Sequence, residues 1–143
     1  MGAGKSTLAK RLAEEKGAVL ISEDDLLSKL YAEKIKSVKD YKLYSDKLKP
    51  VVSDTVQQIL KRGVSVVLDF PANTESQRLW LRNISDEVHS EHTCYFVDRN
   101  DEVCIRQLLK RGNPNTDTVE MFHAITKYFT EPSNSENINT VRV

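Results

Sequence analysis

The chain has 143 residues, enough for one hydrophobic core and a single domain. Its 21 Lys and Arg balance 21 Asp and Glu, so no basic groove for nucleic acid and no cationic membrane face is indicated. No apolar run reaches spanning length and the first residues lack a secretory-signal layout, so the expectation is a cytoplasmic protein with no membrane partner.

Met1-Gly2-Ala3-Gly4-Lys5-Ser6-Thr7 is the back half of the phosphate-binding pattern G-x-x-x-x-G-K-[ST]. Gly2 and Gly4 can adopt the backbone angles of such a turn without steric cost. Successive N–H groups of the turn and of the following helix form a donor cradle for phosphate oxygens. Lys5 is expected to reach the β- and γ-phosphates of ATP, and the Ser6 hydroxyl to ligate Mg²⁺. The first Gly of the pattern, and the strand that would feed it, would fall before residue 1. The chain is therefore expected to lack a central strand whose apolar residues contribute up to about 10 kcal/mol. That is comparable with a whole domain's stability of about 5–15 kcal/mol. Met1-Gly2 with Ser6 also fits an N-myristoylation pattern, but the phosphate loop already accounts for every residue.

Leu8, Leu12 and Ala13 recur at helical spacing, predicting a helix over 5–16 that Gly17 ends. Residues 18–21 read as a buried strand, with Asp24 and Asp25 after it. Helical stretches follow near 24–37, 40–48 and 51–62, with Pro50 at a helix start. Residues 64–68 form the strongest strand signal, closed by Asp69. A loop with Pro71, Asn73 and Thr74 leads to a helix over 75–88. Residues 93–97 read as a strand and 101–111 as a helix, followed by the breaker-rich Gly112-Asn113-Pro114-Asn115. Asp117 with Glu120 reads as a capping box opening a last helix to about Phe129. Pro132 stops it, and 138–143 reads as a terminal strand. This alternation predicts an α/β domain with a mostly parallel sheet.

Cys94 and Cys104 read as reduced core thiols. His89, His92 and Cys94 cross a helix end into a strand, which scatters their directions and argues against zinc. Asp24 and Asp69 fall at the C-terminal ends of strands, where open parallel sheets keep their sites. Asp24 reads either as a site residue or as a helix cap. For Asp69 a water-mediated Mg²⁺ contact is favoured, because Phe70-Pro71 follows rather than a helix. Trp80, Phe122, Ile125 and Phe129 sit at helical spacings and read as core. Tyr31, Tyr41 and Tyr44 read as acceptor-pocket walls or as packing residues.

The order Gly-Ala-Gly-Lys-Ser-Thr, Ile21-Ser22-Glu23-Asp24-Asp25, Val66-Val67-Leu68-Asp69-Phe70-Pro71-Ala72-Asn73-Thr74 with Arg78, and then Arg111 resembles the P-loop kinases of the AAA_33 group. These are small ATP-dependent kinases similar to zeta toxins, chloramphenicol phosphotransferase and the kinase domain of polynucleotide kinase. The resemblance spans essentially the whole chain, and it implies a three-layer αβα P-loop NTPase fold with a lid around 106–118. It implies ATP and Mg²⁺, with Gly2, Ala3, Gly4, Lys5, Ser6, Thr7 and Arg111 on the nucleotide. Asp24 matches the carboxylate that takes the proton of the acceptor hydroxyl, with Lys5 and Arg111 beside the transferred phosphoryl. Asp25, Asn73 and Arg78 fall on the substrate side, although Arg78 reads equally as a surface salt bridge. Where a second lid arginine usually stands, this chain has Gln107, with Arg106 about 100° round the helix. The implied activity is transfer of the γ-phosphoryl to a hydroxyl of a small molecule. The alternatives are a toxin-like nucleotide-sugar kinase, a kinase of nucleic-acid 5′ ends, or a non-catalytic or truncated nucleotide-binding protein.

Overall fold

A computed structural model of the chain describes residues 1–112 and 117–143. Residues 113–116, part of the expected lid and most of the breaker-rich segment, lie outside the described residues. The fold is α/β, with helices α1 (Lys5–Lys16), α2 (Glu23–Tyr31), α3 (Val38–Leu60), α4 (Glu75–Asp86), α5 (Asp101–Arg111) and α6 (Val119–Thr126). The strands are β1 (Val19–Ser22), β2 (Val66–Asp69), β3 (Cys94–Phe96) and β4 (Thr140–Arg142). They pair in parallel as two two-stranded sheets, β1 with β2 and β3 with β4. Parallel pairing requires a crossover connection, supplied by α2 and α3 in one case and by α5 and α6 in the other.

Two compact units are formed. One comprises residues 1–5, 71–83 and 91–143, and the other residues 6–70 and 84–90. In the latter, Ala9, Leu12 and Ala13 of α1, Leu27 of α2, and Leu48, Val52 and Val56 of α3 are buried, with Phe70 and Ile84. Their three- and four-residue spacings are the inward stripes of amphipathic helices. In the other unit Cys104 and Leu108 of α5 and Phe122 of α6 form a buried cluster, with Met1, Ala3 and Ile105 packed against it.

Three sequence expectations are corrected here. Residues 38–60 are one helix rather than two, with Pro50 inside it instead of at a start. The buried stripe Ser45, Leu48, Val52 and Val56 runs in phase across Pro50, so packing holds the helix together. Pro50 and Asp46, whose carbonyl loses its helical donor, are both exposed, so water can serve that carbonyl. The helix begins cleanly because the Ser37 hydroxyl accepts from the Asp40 N–H at 3.1 Å. The second correction is that Thr118, not Asp117, caps α6, accepting from the Met121 N–H at 3.1 Å. Asp117 is drawn away by a charged partner described below. Third, Phe129 is not core: it is 37% exposed and stacks on Phe96 at 5.9 Å, whereas Phe122 is buried and Trp80 and Ile125 are half-buried.

Candidate functional site

Gly2 and Gly4 have φ of 71° and 88°, while Ala3 between them is outside the left-handed region. This alternation turns successive N–H groups toward one side, the geometry of an anion-binding nest. Helix α1 starts immediately afterwards at Lys5, and Gly4, Lys5, Ser6 and Thr7 are all exposed. The loop is backed by α5. A Cβ on Gly2 would lie 2.2 Å from the Cys104 carbonyl oxygen, whereas one on Gly4 would find only the Gln107 Oε1, at 4.0 Å. Gln107 is thus the α5 side chain nearest the loop's open glycine. Arg111 lies one helical turn further along α5.

Arg111 donates from Nε to Asp117 Oδ2 at 2.7 Å, and from Nη2 to the other carboxylate oxygen. The Asp117 side chain is fully buried and that of Arg111 is 57% exposed. A planar guanidinium gripped on one edge by a fixed carboxylate is set in direction as well as charge. Asp117 escaped sequence reasoning because its side chain was assigned to a helix cap.

Arg78 is not a surface residue. It is 2% exposed, and its Nε and Nη2 donate to Glu136 at 2.7 and 2.9 Å. Its Nη1 donates to the carbonyls of Ala72 at 3.0 Å and Thr130 at 2.8 Å. The Asn73 and Thr74 N–H groups both donate to Gln77 Oε1, and the Asn73 carbonyl accepts from the Thr130 N–H at 2.8 Å. Arg78 and Gln77 therefore hold the backbone of residues 72–74 from two directions. Beside them is an open hollow of about 640 Å³ lined by Thr74, Ser76, Leu79, Thr130 and Ser133, whose charges at Arg78 and Glu136 already satisfy each other. The Arg78 guanidinium holds the Glu136 carboxyl below its ordinary range.

In the other unit the β1–β2 register pairs Ser22 with Asp69, so Asp24 and Asp69 leave that sheet at the same end. Asp69 is buried. The three consecutive acids opening α2 have separate fates. Glu23 is 2% exposed and accepts from the Tyr41 hydroxyl and, at 2.6 Å, from the Ser45 hydroxyl. Asp25 pairs with Lys29 at 2.8 Å on the surface. Asp24 is exposed and has no hydrogen bond or salt bridge to another described residue. The cap position of α2 belongs to Ser22, so the capping alternative for Asp24 is overturned, and its charge lies within the first turn where the helix dipole favours it. Tyr31 stacks on Tyr44 at 4.3 Å, and burial with the Glu23 hydrogen bond pushes the Tyr41 hydroxyl well above its ordinary pKa. All three tyrosines are therefore engaged in packing α2 or bonding it to α3.

Cys94 and Cys104 are free thiols, and burial raises both pKa values, which disfavours the reactive thiolate. Among the described residues no helix is long and apolar enough to cross a membrane, and no group of three or more His, Cys, Asp or Glu side chains could hold a metal. Mg²⁺ does not need such a group. It keeps several waters and takes one or two protein oxygens plus phosphate oxygens, and the Ser6 hydroxyl and Asp69 carboxylate are hard oxygen donors of that kind.

A glycine-shaped anion nest opening a helix, in a chain of parallel strands joined by helical crossovers, is the architecture of a P-loop nucleotide-binding protein. Residues 1–132 match the AAA_33 family, an AAA domain, and the chain belongs to that family. It is also similar to an adenylate kinase of Prochlorococcus marinus (strain MIT 9211). The two are 30% identical over 138 residues, which cover 89% of this chain and 72% of the relative.

Proposed function

We propose that this protein is an ATP-dependent phosphotransferase that moves the γ-phosphoryl group of ATP to a hydroxyl of a small molecule. The observation that carries the reading is the alternating backbone of Gly2, Ala3 and Gly4 directly ahead of α1, with the exposed Lys5 at its first position. Backbone N–H groups of the loop bind the β- and γ-phosphates, and the Lys5 ammonium neutralises charge on the transferred group. Ser6 and Asp69 would hold Mg²⁺, which would supply positive charge to offset that of the phosphates. Asp24, exposed and unengaged, accepts the proton of the acceptor hydroxyl as the new P–O bond forms. Arg111, held by Asp117, offsets the charge on the transferred phosphoryl group. Asp25 and the Asn73 loop belong to the acceptor side, with Arg78 as the residue that shapes that loop.

A second acceptor reading is favoured by the relative named adenylate kinase, which makes adenylate the first acceptor to test. The nucleotide-sugar kinase and the non-catalytic binding protein are its competitors. Asp24→Asn separates a kinase from the non-catalytic reading. A kinase keeps its ATP·Mg²⁺ affinity by calorimetry and loses at least about 100-fold in phosphoryl transfer. Unchanged transfer in the variant removes Asp24 from the chemistry. Tight ATP binding with no transfer by the wild type to any hydroxyl or adenylate acceptor establishes the non-catalytic reading instead.

A further inference from the structure

We infer that Glu23 is a positioning residue for the acceptor side, a role that rests on the kinase reading above. Its buried carboxylate bonds the first turn of α2, and with it Asp24, to one face of α3. Each carboxylate oxygen takes one hydroxyl, Oε2 from Tyr41 and Oε1 from Ser45. Tyr41 and Ser45 are four residues apart and so share a face of α3. The far end of α2 is held independently, because its last residue, Tyr31, stacks on Tyr44 of the same helix. Helix α2 is thus fastened to α3 at both ends, by directional hydrogen bonds at the end that carries Asp24 and by a ring stack at the other.

A purely structural contact at this place would not call for a carboxylate. An apolar side chain of Glu23's volume would bury itself without the desolvation cost of an anion. Apolar contacts tolerate sliding, whereas hydrogen bonds weaken steeply away from their preferred angle. A group that must meet a substrate proton needs its carrier held to about 0.5 Å, and Asp24 is the residue next in chain to Glu23. The engagement of Glu23 also leaves Asp24 as the exposed carboxylate of the three without a described partner.

Two measurements on Glu23→Gln, Tyr41→Phe and Ser45→Ala test this. The first is hydrogen exchange of the wild-type chain and each variant without nucleotide. Exchange over residues 22–31 is expected to rise about tenfold, with residues 5–16 unchanged. The second is ATP hydrolysis, with water as the probe acceptor because, like a hydroxyl and unlike the adenylate phosphate, it gives up a proton as the P–O bond forms. Turnover is expected to fall about tenfold while the KM for ATP stays within about twofold. Unchanged exchange over 22–31 in both Tyr41→Phe and Ser45→Ala overturns the inference even if Glu23→Gln fails to fold. So does a variant whose turnover and ATP affinity fall together, because that marks a general loss of folded protein. A wild type that neither binds nor hydrolyses ATP instead removes the kinase reading. A positioning role then fails with it, and exchange reports only whether Glu23 fastens α2.

Discussion

The carbonyl oxygen of Cys104 stands 2.2 Å from the point that a Cβ on Gly2 would occupy, so the phosphate loop and α5 meet backbone against backbone. Gly2 is held by two independent constraints, this contact and its φ of 71°. Gly4 has only the second, since the nearest atom to its would-be Cβ is 4.0 Å away and belongs to a flexible side chain. Gly2→Ala is therefore expected to destabilise the protein by about 2–4 kcal/mol, combining overpacking with backbone strain. Gly4→Ala is expected to cost about 1 kcal/mol. Thermal melts of the two variants check the order, and a Gly2→Ala protein that melts with the wild type contradicts the contact.

The Arg78–Glu136 pair should dominate the acid limb of stability. Removal of one partner leaves a buried charge uncompensated, which costs about 3–5 kcal/mol. Arg78→Ala is expected to show that loss in denaturant midpoints, and Glu136→Gln a smaller one. Because the folded carboxyl of Glu136 is held below its ordinary value of 4.5, its contribution is complete above that pH and is lost as pH falls toward the lowered value. Glu136→Gln is expected to flatten the stability profile in that acid window and leave its slope near pH 7 unchanged.

Pro50 sits in the middle of a 23-residue helix on an exposed position. An interior proline costs about 3 kcal/mol in a helix, offset by about 1 kcal/mol because it also restricts the unfolded chain. Pro50→Ala is thus expected to stabilise the protein by about 2 kcal/mol, read as a raised Tm. A lowered Tm would show that the helix needs the bend.

Arg111 should not be replaceable by lysine. An ammonium is a point charge and cannot take the two-bond grip of Asp117. Arg111→Lys is expected to lower phosphoryl transfer about 100-fold, close to the effect of Arg111→Ala. Asp117→Asn is expected to reproduce part of that loss with Arg111 intact. Single-turnover kinetics at saturating ATP measures all three, and full activity in Arg111→Lys would show that charge alone suffices.

The features legible in the sequence were those decided by neighbours in the chain. Helices α1 and α5 begin and end where apolar spacing and glycine place them, at 5–16 and 101–111. The loop ahead of α1 has the positive φ angles that its glycines imply. Local signals failed at Pro50, where a breaker yields to a buried stripe in phase on both sides, and at Asp117, where a residue suited to capping is taken by Arg111.

Sequence alone thus determined the phosphate loop, the alternation of strands and helices, and Asp24 as a candidate, because backbone conformation and periodicity act over a few residues. The tertiary structure alone decided which charges are spoken for. Arg78 pairs with Glu136 across 58 positions, and Glu23 takes hydroxyls 18 and 22 residues away. A buried charge must find a partner wherever folding brings one within bonding distance, and the order of residues along the chain does not record that distance.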